Sequence, residues 1–108
     1  GASYIHTTEH HAAEPAFLNG YPLSRLARLL TGLPVIANGG LGDPSQATKM
    51  LTEQHADLVA LGKSALASPD WPNKVRQDEE LDEFSFEMFS PLADLQSANA
   101  FQSRLAVQ

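Results

Sequence analysis

Two short apolar runs punctuate the first half of the chain: Pro34-Val35-Ile36-Ala37 ahead of Asn38-Gly39-Gly40, and Asp57-Leu58-Val59-Ala60-Leu61 ahead of Gly62-Lys63. Each is brief, rich in branched residues and closed by glycine, which reads as a buried strand. Neither alternates apolar with polar positions, so a parallel sheet covered on both faces is expected. Ser3-Tyr4-Ile5-His6-Thr7-Thr8 is a weaker strand candidate at the start of the chain.

Helical periodicity fills the gaps. Leu23, Leu26, Leu29 and Leu30 recur at three-to-four spacing with Arg25 and Arg28 turned outward, and Gly32 and Pro34 close the segment. The next helix has readable ends, with Asp43 as N-cap, Pro44 in the first position and Gln46 completing a variant of the capping box. Ala47, Met50 and Leu51 make its apolar face. Ser64 to Ala67 predicts one helical turn, Pro69 interrupts it, and Asp70-Trp71-Pro72 restarts a helix that Asp70 caps. Positions 78–91 read as a solvated acidic connector carrying Phe84, Phe86 and Phe89. Leu92, Leu95, Ala98, Phe101 and Leu105 mark the stripe of a terminal helix. Strand, helix, strand, helix, strand is the order of two right-handed crossover units, an α/β architecture with three parallel strands. The expected division is 1–77 for the β/α units and 78–108 for the connector and last helix.

Composition bounds the function without deciding it. The chain has 108 residues, 43% of them hydrophobic, enough for one modest domain. It has no cysteine, which excludes disulfides, thiolate metal sites and a cysteine nucleophile. Residues 1–77 balance six basic against six acidic side chains, whereas 78–108 hold one against seven, so the net charge of −6 lies in the tail. That distribution argues against nucleic acid or an anionic membrane as partner. The apolar runs are too short to span a bilayer and the first residues do not resemble a signal peptide, so cytoplasm is the expected compartment.

Candidate chemistry gathers where the two clear strands end. Asn38-Gly39-Gly40-Leu41 and Gly62-Lys63 follow the carboxyl ends of neighbouring parallel strands, the side on which such sheets bind ligands. Glycine lets the backbone approach a phosphate, the amides that follow can point at its oxygens, and Lys63 adds a positive charge. A phosphate cradle and a pair of tight turns that bind nothing fit this local pattern equally. Other constellations carry less. His6, His10 and His11 with Glu9 and Glu14 follow a strand into a loop without the fixed geometry of a metal site, so no metal is expected. His55 is expected at the surface. Gly40-Leu41-Gly42 begins like a dinucleotide fingerprint, but Ser45 takes the place of the third glycine. The acidic run from Asp78 to Glu83 reads as a solvated face. Spacing alone supports no Ser-His-Asp or paired-carboxylate arrangement, and no catalytic residue is assigned.

The stretch Leu33-Pro34-Val35-Ile36-Ala37-Asn38-Gly39-Gly40-Leu41, then Ala56-Asp57-Leu58-Val59-Ala60-Leu61-Gly62-Lys63, then Ala67-Ser68-Pro69-Asp70-Trp71-Pro72, resembles the end of the catalytic barrel in FMN-dependent NAD(P)H:flavin oxidoreductases of the Old Yellow Enzyme type. The resemblance implies that the three strands are the sixth to eighth of a TIM (β/α)8 barrel, a fold whose last two strand-end loops commonly bind phosphate. It implies FMN as cofactor, NADH or NADPH as reductant, and Asn38, Gly39, Gly40, Leu41, Gly62 and Lys63 around the flavin phosphate. It also brings His6 or His10, in the sixth strand and the loop after it, towards flavin or substrate. The family usually carries Arg where this chain has Lys63, which keeps the charge but loses the planar two-pronged contact.

A complete barrel of this kind needs roughly 250 residues. The expectation is therefore a C-terminal fragment of an ene-reductase-type enzyme, inactive alone, that supplies the phosphate corner while the groups binding the flavin ring and substrate lie elsewhere. Open sheet edges and apolar helix faces predict self-association or pairing with the missing strands. The alternative is a non-enzymatic α/β module with no strong ligand. A third possibility, a barrel acting on a sugar phosphate, shares the corner but not the Trp71-Pro72 segment.

Overall fold

The computed structural model describes residues 1–18 and 20–107, apart from the side chains of 106 and 107. The chain forms two compact units, Gly1–Gly62 and Lys63–Gln108.

The first unit is a three-stranded parallel sheet in the order β1-β2-β3, with β1 at Ile5–Thr8, β2 at Val35–Asn38 and β3 at Leu58–Ala60. Helix α1 (Leu23–Thr31) joins the first pair and α2 (Pro44–Thr52) the second. Ile36 pairs with His6 and Leu58, Ala37 with Thr7 and Val59, and Asn38 with Thr8 and Ala60. Paired residues share a face of the sheet, so alternate rows separate. The row of Thr7, Ala37 and Val59, continued by Val35, is the covered one: Ala37 packs in a core with Ala12, Leu41, Met50 and Ala56, against which Val59 and Leu61 lie. The row of His6, Ile36 and Leu58 is open, and Leu58 is 59% exposed. The expectation of two covered faces is corrected here. Successive right-handed crossovers running in one direction put both helices on the same side.

Helix α2 begins as the sequence predicts: the Asp43 carboxylate accepts hydrogen bonds from the Ser45 backbone N–H at 2.9 Å and the Ser45 hydroxyl at 2.8 Å, and Pro44 follows it. No return bond from the Gln46 side chain to Asp43 is found among the described residues. Ala47 and Met50 are buried, while Leu51 is exposed. Helix α1 ends at Gly32, whose left-handed backbone (φ 71°) lets its N–H donate to the Arg28 carbonyl. Its orientation differs from the one the leucines predict. Arg25 donates to the Glu53 carbonyl at 3.0 Å, and Arg28 Nε meets both Asp57 carboxylate oxygens at 3.3 Å. The arginines thus brace the loop before β3, whereas Leu30 is 84% exposed. Asp57 decides this: its Oδ2 also accepts the Val35 backbone N–H at 2.9 Å, so it links strand, loop and helix.

The second unit holds α3 (Lys63–Ala67), α4 (Trp71–Arg76), a 3-10 turn at Phe86–Phe89 and α5 (Leu95–Val107). Asp70 precedes α4 without a side-chain bond to the helix backbone; its carboxylate accepts from the Asn73 side-chain amide instead, at 2.6 Å. The segment expected as a solvated connector is tethered. The Asp82 N–H donates to the Ser68 hydroxyl at 2.9 Å, Lys74 pairs with Asp82 at 3.0 Å, and Met88 is buried. In α5 the buried positions are Ser97 and Phe101, while Leu92 and Leu95 are exposed. The helix starts later than the leucine spacing implies, because Asp94 accepts the Ser97 N–H at 2.8 Å and fixes the first turn there. No helix among the described residues is long and apolar enough to cross a membrane.

Candidate functional site

The carboxyl ends of β2 and β3 are locked together, since the Asn38 side-chain amide donates to the Ala60 carbonyl at 2.9 Å. Asn38 is therefore a brace between neighbouring strands. Its own carbonyl accepts the Glu9 N–H at 3.0 Å, and the Gly39 carbonyl accepts the Ala12 N–H at 2.9 Å, so the loop after β1 folds over the end of β2. This loop explains Gly39. A β-carbon there would overlap the Glu9 carbonyl oxygen, and φ is 137°. Gly40 is also in a positive-φ conformation (66°), with the His10 carbonyl 3.3 Å from the place of a β-carbon. Leu41 then turns into the core.

Gly62 differs from both: no atom lies within 4 Å of where its β-carbon would stand. The space beside it is open. Among the described residues the backbone N–H groups of Gly40, Leu41 and Gly62 donate to no hydrogen bond. Three unspent donors follow the carboxyl ends of two adjacent parallel strands, the chemistry by which backbone nests hold anions. Lys63, joined to Gly62 by a peptide bond, opens α3 with an exposed side chain. Of the six residues expected around a phosphate, Gly40, Leu41 and Gly62 keep backbone N–H groups without a hydrogen bond, and Lys63 has an exposed side chain. The structure gives Asn38 and Gly39 structural employment of their own.

No group of three or more His, Asp or Glu that could hold a metal ion is found among the described residues. The rings of His10 and His11 meet edge-on at 4.3 Å. His6 shares the open face of the sheet with Ile36 and Leu58. His55 is not a free surface residue, since its Nε2 lies 3.0 Å from the Glu53 carboxylate and its Nδ1 3.5 Å from Arg25. A cavity of about 320 Å³ runs along α2, lined by Gly39, His11, Glu14, Lys49, Glu53 and His55 among others. Its lining mixes the Glu14 and Glu53 carboxylates with Lys49 and two histidines. From sequence, Glu9 enters only as part of a possible metal cluster. Its Oε2 is enclosed without a hydrogen-bond partner, and burial pushes its carboxyl above the ordinary glutamate range. A lone acid in a loop gives no sequence signal of that enclosure.

Residues 2–82 match the family model described as NADH:flavin oxidoreductase / NADH oxidase. The chain belongs to this family. An NADH oxidase from Thermoanaerobacter brockii is 34% identical over 55 residues, 51% of this chain and 8% of that protein. A bilirubin reductase from Clostridium symbiosum is 41% identical over 44 residues, 41% of this chain and 12% of that one. The solved structure of a morphinone reductase superposes on 88% of this chain and 23% of its own, with a TM-score of 0.57 and 25% identity. The chain thus matches about a tenth of these curated relatives' length and about a quarter of the solved reductase. In this setting the three parallel strands are a segment of a flavin oxidoreductase barrel.

Proposed function

We propose that this chain supplies the FMN phosphate-binding corner of an NAD(P)H-dependent oxidoreductase of the ene-reductase type. The observation that carries the reading is the set of unspent N–H donors at Gly40, Leu41 and Gly62, placed after adjacent parallel strands in a chain of the NADH:flavin oxidoreductase family. Open space beside Gly62 lets a phosphate oxygen approach the backbone, and Lys63 adds the charge that a dianion requires. Asn38 and Gly39 act indirectly, by tying the β2 end to β3 and to the loop after β1.

The reductase names of the relatives support the reaction class. Bound FMN supplies hydride transfer from NADH or NADPH to an activated alkene, and the protein positions it. This chain holds the phosphate end only. The groups that bind the flavin ring and protonate the substrate lie in other parts of the barrel, so the chain by itself is expected not to oxidise NADPH.

An amide NMR spectrum titrated with FMN and with inorganic phosphate tests the corner. Shifts concentrated at Gly39 through Leu41 and at Gly62 and Lys63 are the expected result. A well-dispersed spectrum unmoved by either ligand overturns the reading, and leaves the glycines as turns demanded by packing, the role the Glu9 contact already gives Gly39.

A further inference from the structure

The cavity along α2 has no part in the function proposed above. Gln46 and Lys49 in the helix and Glu53 at its C-cap succeed one another at three- and four-residue spacing, so they share one face, while His11 and Glu14 line the cavity from the loop after β1. Buried Met50 and Ala13 give it an apolar patch. Its volume of about 320 Å³ is at the small end of ligand sites. All of these residues lie within the unit Gly1–Gly62.

Lys49 and Glu53 stand four positions apart, the spacing at which a lysine and a glutamate on a helix can pair. They do not pair. The Glu53 carboxylate turns to His55 Nε2 at 3.0 Å, and His55 Nδ1 lies 3.5 Å from the Arg25 guanidinium, which can only donate. Nδ1 therefore accepts, and Nε2 carries the ring proton and donates it to Glu53. Arg25 also donates to the Glu53 carbonyl at 3.0 Å, which holds this end of the cavity in place. Among the described residues the Lys49 ammonium takes part in no hydrogen bond or ion pair, and the Glu14 carboxylate in no ion pair.

We propose that this cavity binds a small α-amino acid with an apolar side chain: its carboxylate meets Lys49 and the Gln46 amide, its ammonium meets Glu14, and its side chain lies on Met50 and Ala13. The charge balance selects a zwitterion. Lys49 and the carboxylates of Glu14 and Glu53 line the same space, so a simple carboxylate meets attraction at one end and repulsion at the other, and a simple amine is repelled by Lys49. A molecule carrying both charges satisfies both ends. The proposal uses none of the backbone donors assigned to the phosphate and stands independently of that reading.

The test follows the amide spectrum of the full chain as it is titrated with L-valine, with isovalerate, which lacks the amino group, and with isobutylamine, which lacks the carboxylate. Saturable shifts confined to residues 11–14 and 46–55 are expected for valine, with either half-molecule about tenfold weaker. Two substitutions at exposed positions separate the ends, and thermal melts check that both variants stay folded. Lys49→Met should weaken valine binding about tenfold and bind isobutylamine more tightly than the parent does, whereas Glu14→Gln should weaken valine binding and bind isovalerate more tightly. A dispersed spectrum that valine leaves unmoved overturns the proposal. So does isovalerate that binds as tightly as valine, or valine binding that neither substitution alters.

Discussion

Gly39 and Glu9 are in such close register that a β-carbon on the glycine would overlap the Glu9 carbonyl oxygen. The loop after β1 can seal the end of β2 only because residue 39 has no side chain. Gly39→Ala should therefore destabilise the chain by about 3 kcal/mol or more, combining overlap with a strained positive φ. Gly62→Ala, with open space at its β-carbon, should change stability by less than about 1 kcal/mol. Urea denaturation of the two variants separates a glycine needed for packing from one left for a ligand.

Asp57 binds Arg28 through its carboxylate and also accepts the N–H of fully buried Val35. Asp57→Ala leaves that N–H without its partner and should cost about 2 kcal/mol. Arg28→Ala removes only a partly exposed ion pair and should cost under about 1 kcal/mol. Equal losses in a denaturant series would show that the ion pair, and not the strand contact, holds the junction.

Two carboxyls give opposite pH dependence. Hydrogen bonds from Ser45 hold the Asp43 carboxyl below its ordinary range. Its contribution to stability is present at neutral pH and is lost as pH falls below about 4, through the folded value. Burial raises the Glu9 carboxyl, so the folded protein binds that proton more tightly than the unfolded chain does. Its penalty is present at neutral pH and fades as acid protonates it. Glu9→Gln should thus raise the melting temperature at pH 7 and lose the advantage near about pH 4, whereas Asp43→Asn should lower it at pH 7 and have little effect in acid. Thermal melts across that interval check both signs.

Lys63→Ala should weaken FMN binding about tenfold and leave riboflavin, which has no phosphate, unaffected. Lys63→Arg should bind FMN at least as well as the parent, because a planar guanidinium stacks on rings and meets a phosphate with two donors. Fluorescence titration of both flavins reads the ratio; equal losses for the two would remove Lys63 from the phosphate site.

Leu29 and Leu30 on α1 are 58% and 84% exposed, and the row of His6, Ile36 and Leu58 on the other face of the sheet is open. We expect self-association that grows with concentration. Leu30→Glu should lower the average mass in sedimentation without lowering the denaturation midpoint. A monomer at all concentrations would show that these leucines are tolerated in water.

The sequence by itself determined the order of elements, because its signals are local. Branched apolar runs closed by glycine mark β2 and β3, Asp43-Pro44 marks the start of α2, and Gly32 marks the end of α1. The strand-end residues were legible for the same reason, as were the motifs that placed the chain in its family. The tertiary structure decided what depends on partners distant along the chain. Asp57 drew Arg28 inward beside Arg25 and left Leu29 and Leu30 of α1 exposed, against the face their periodicity predicts. Glu9, 30 positions before Gly39, makes the absence of a side chain at that glycine a packing requirement. Phe84 and Phe86 reached Lys63 from a stretch that reads as solvated. Periodicity reports which side chains are apolar; which of them are covered is set by the charges, carbonyls and rings that folding brings beside them.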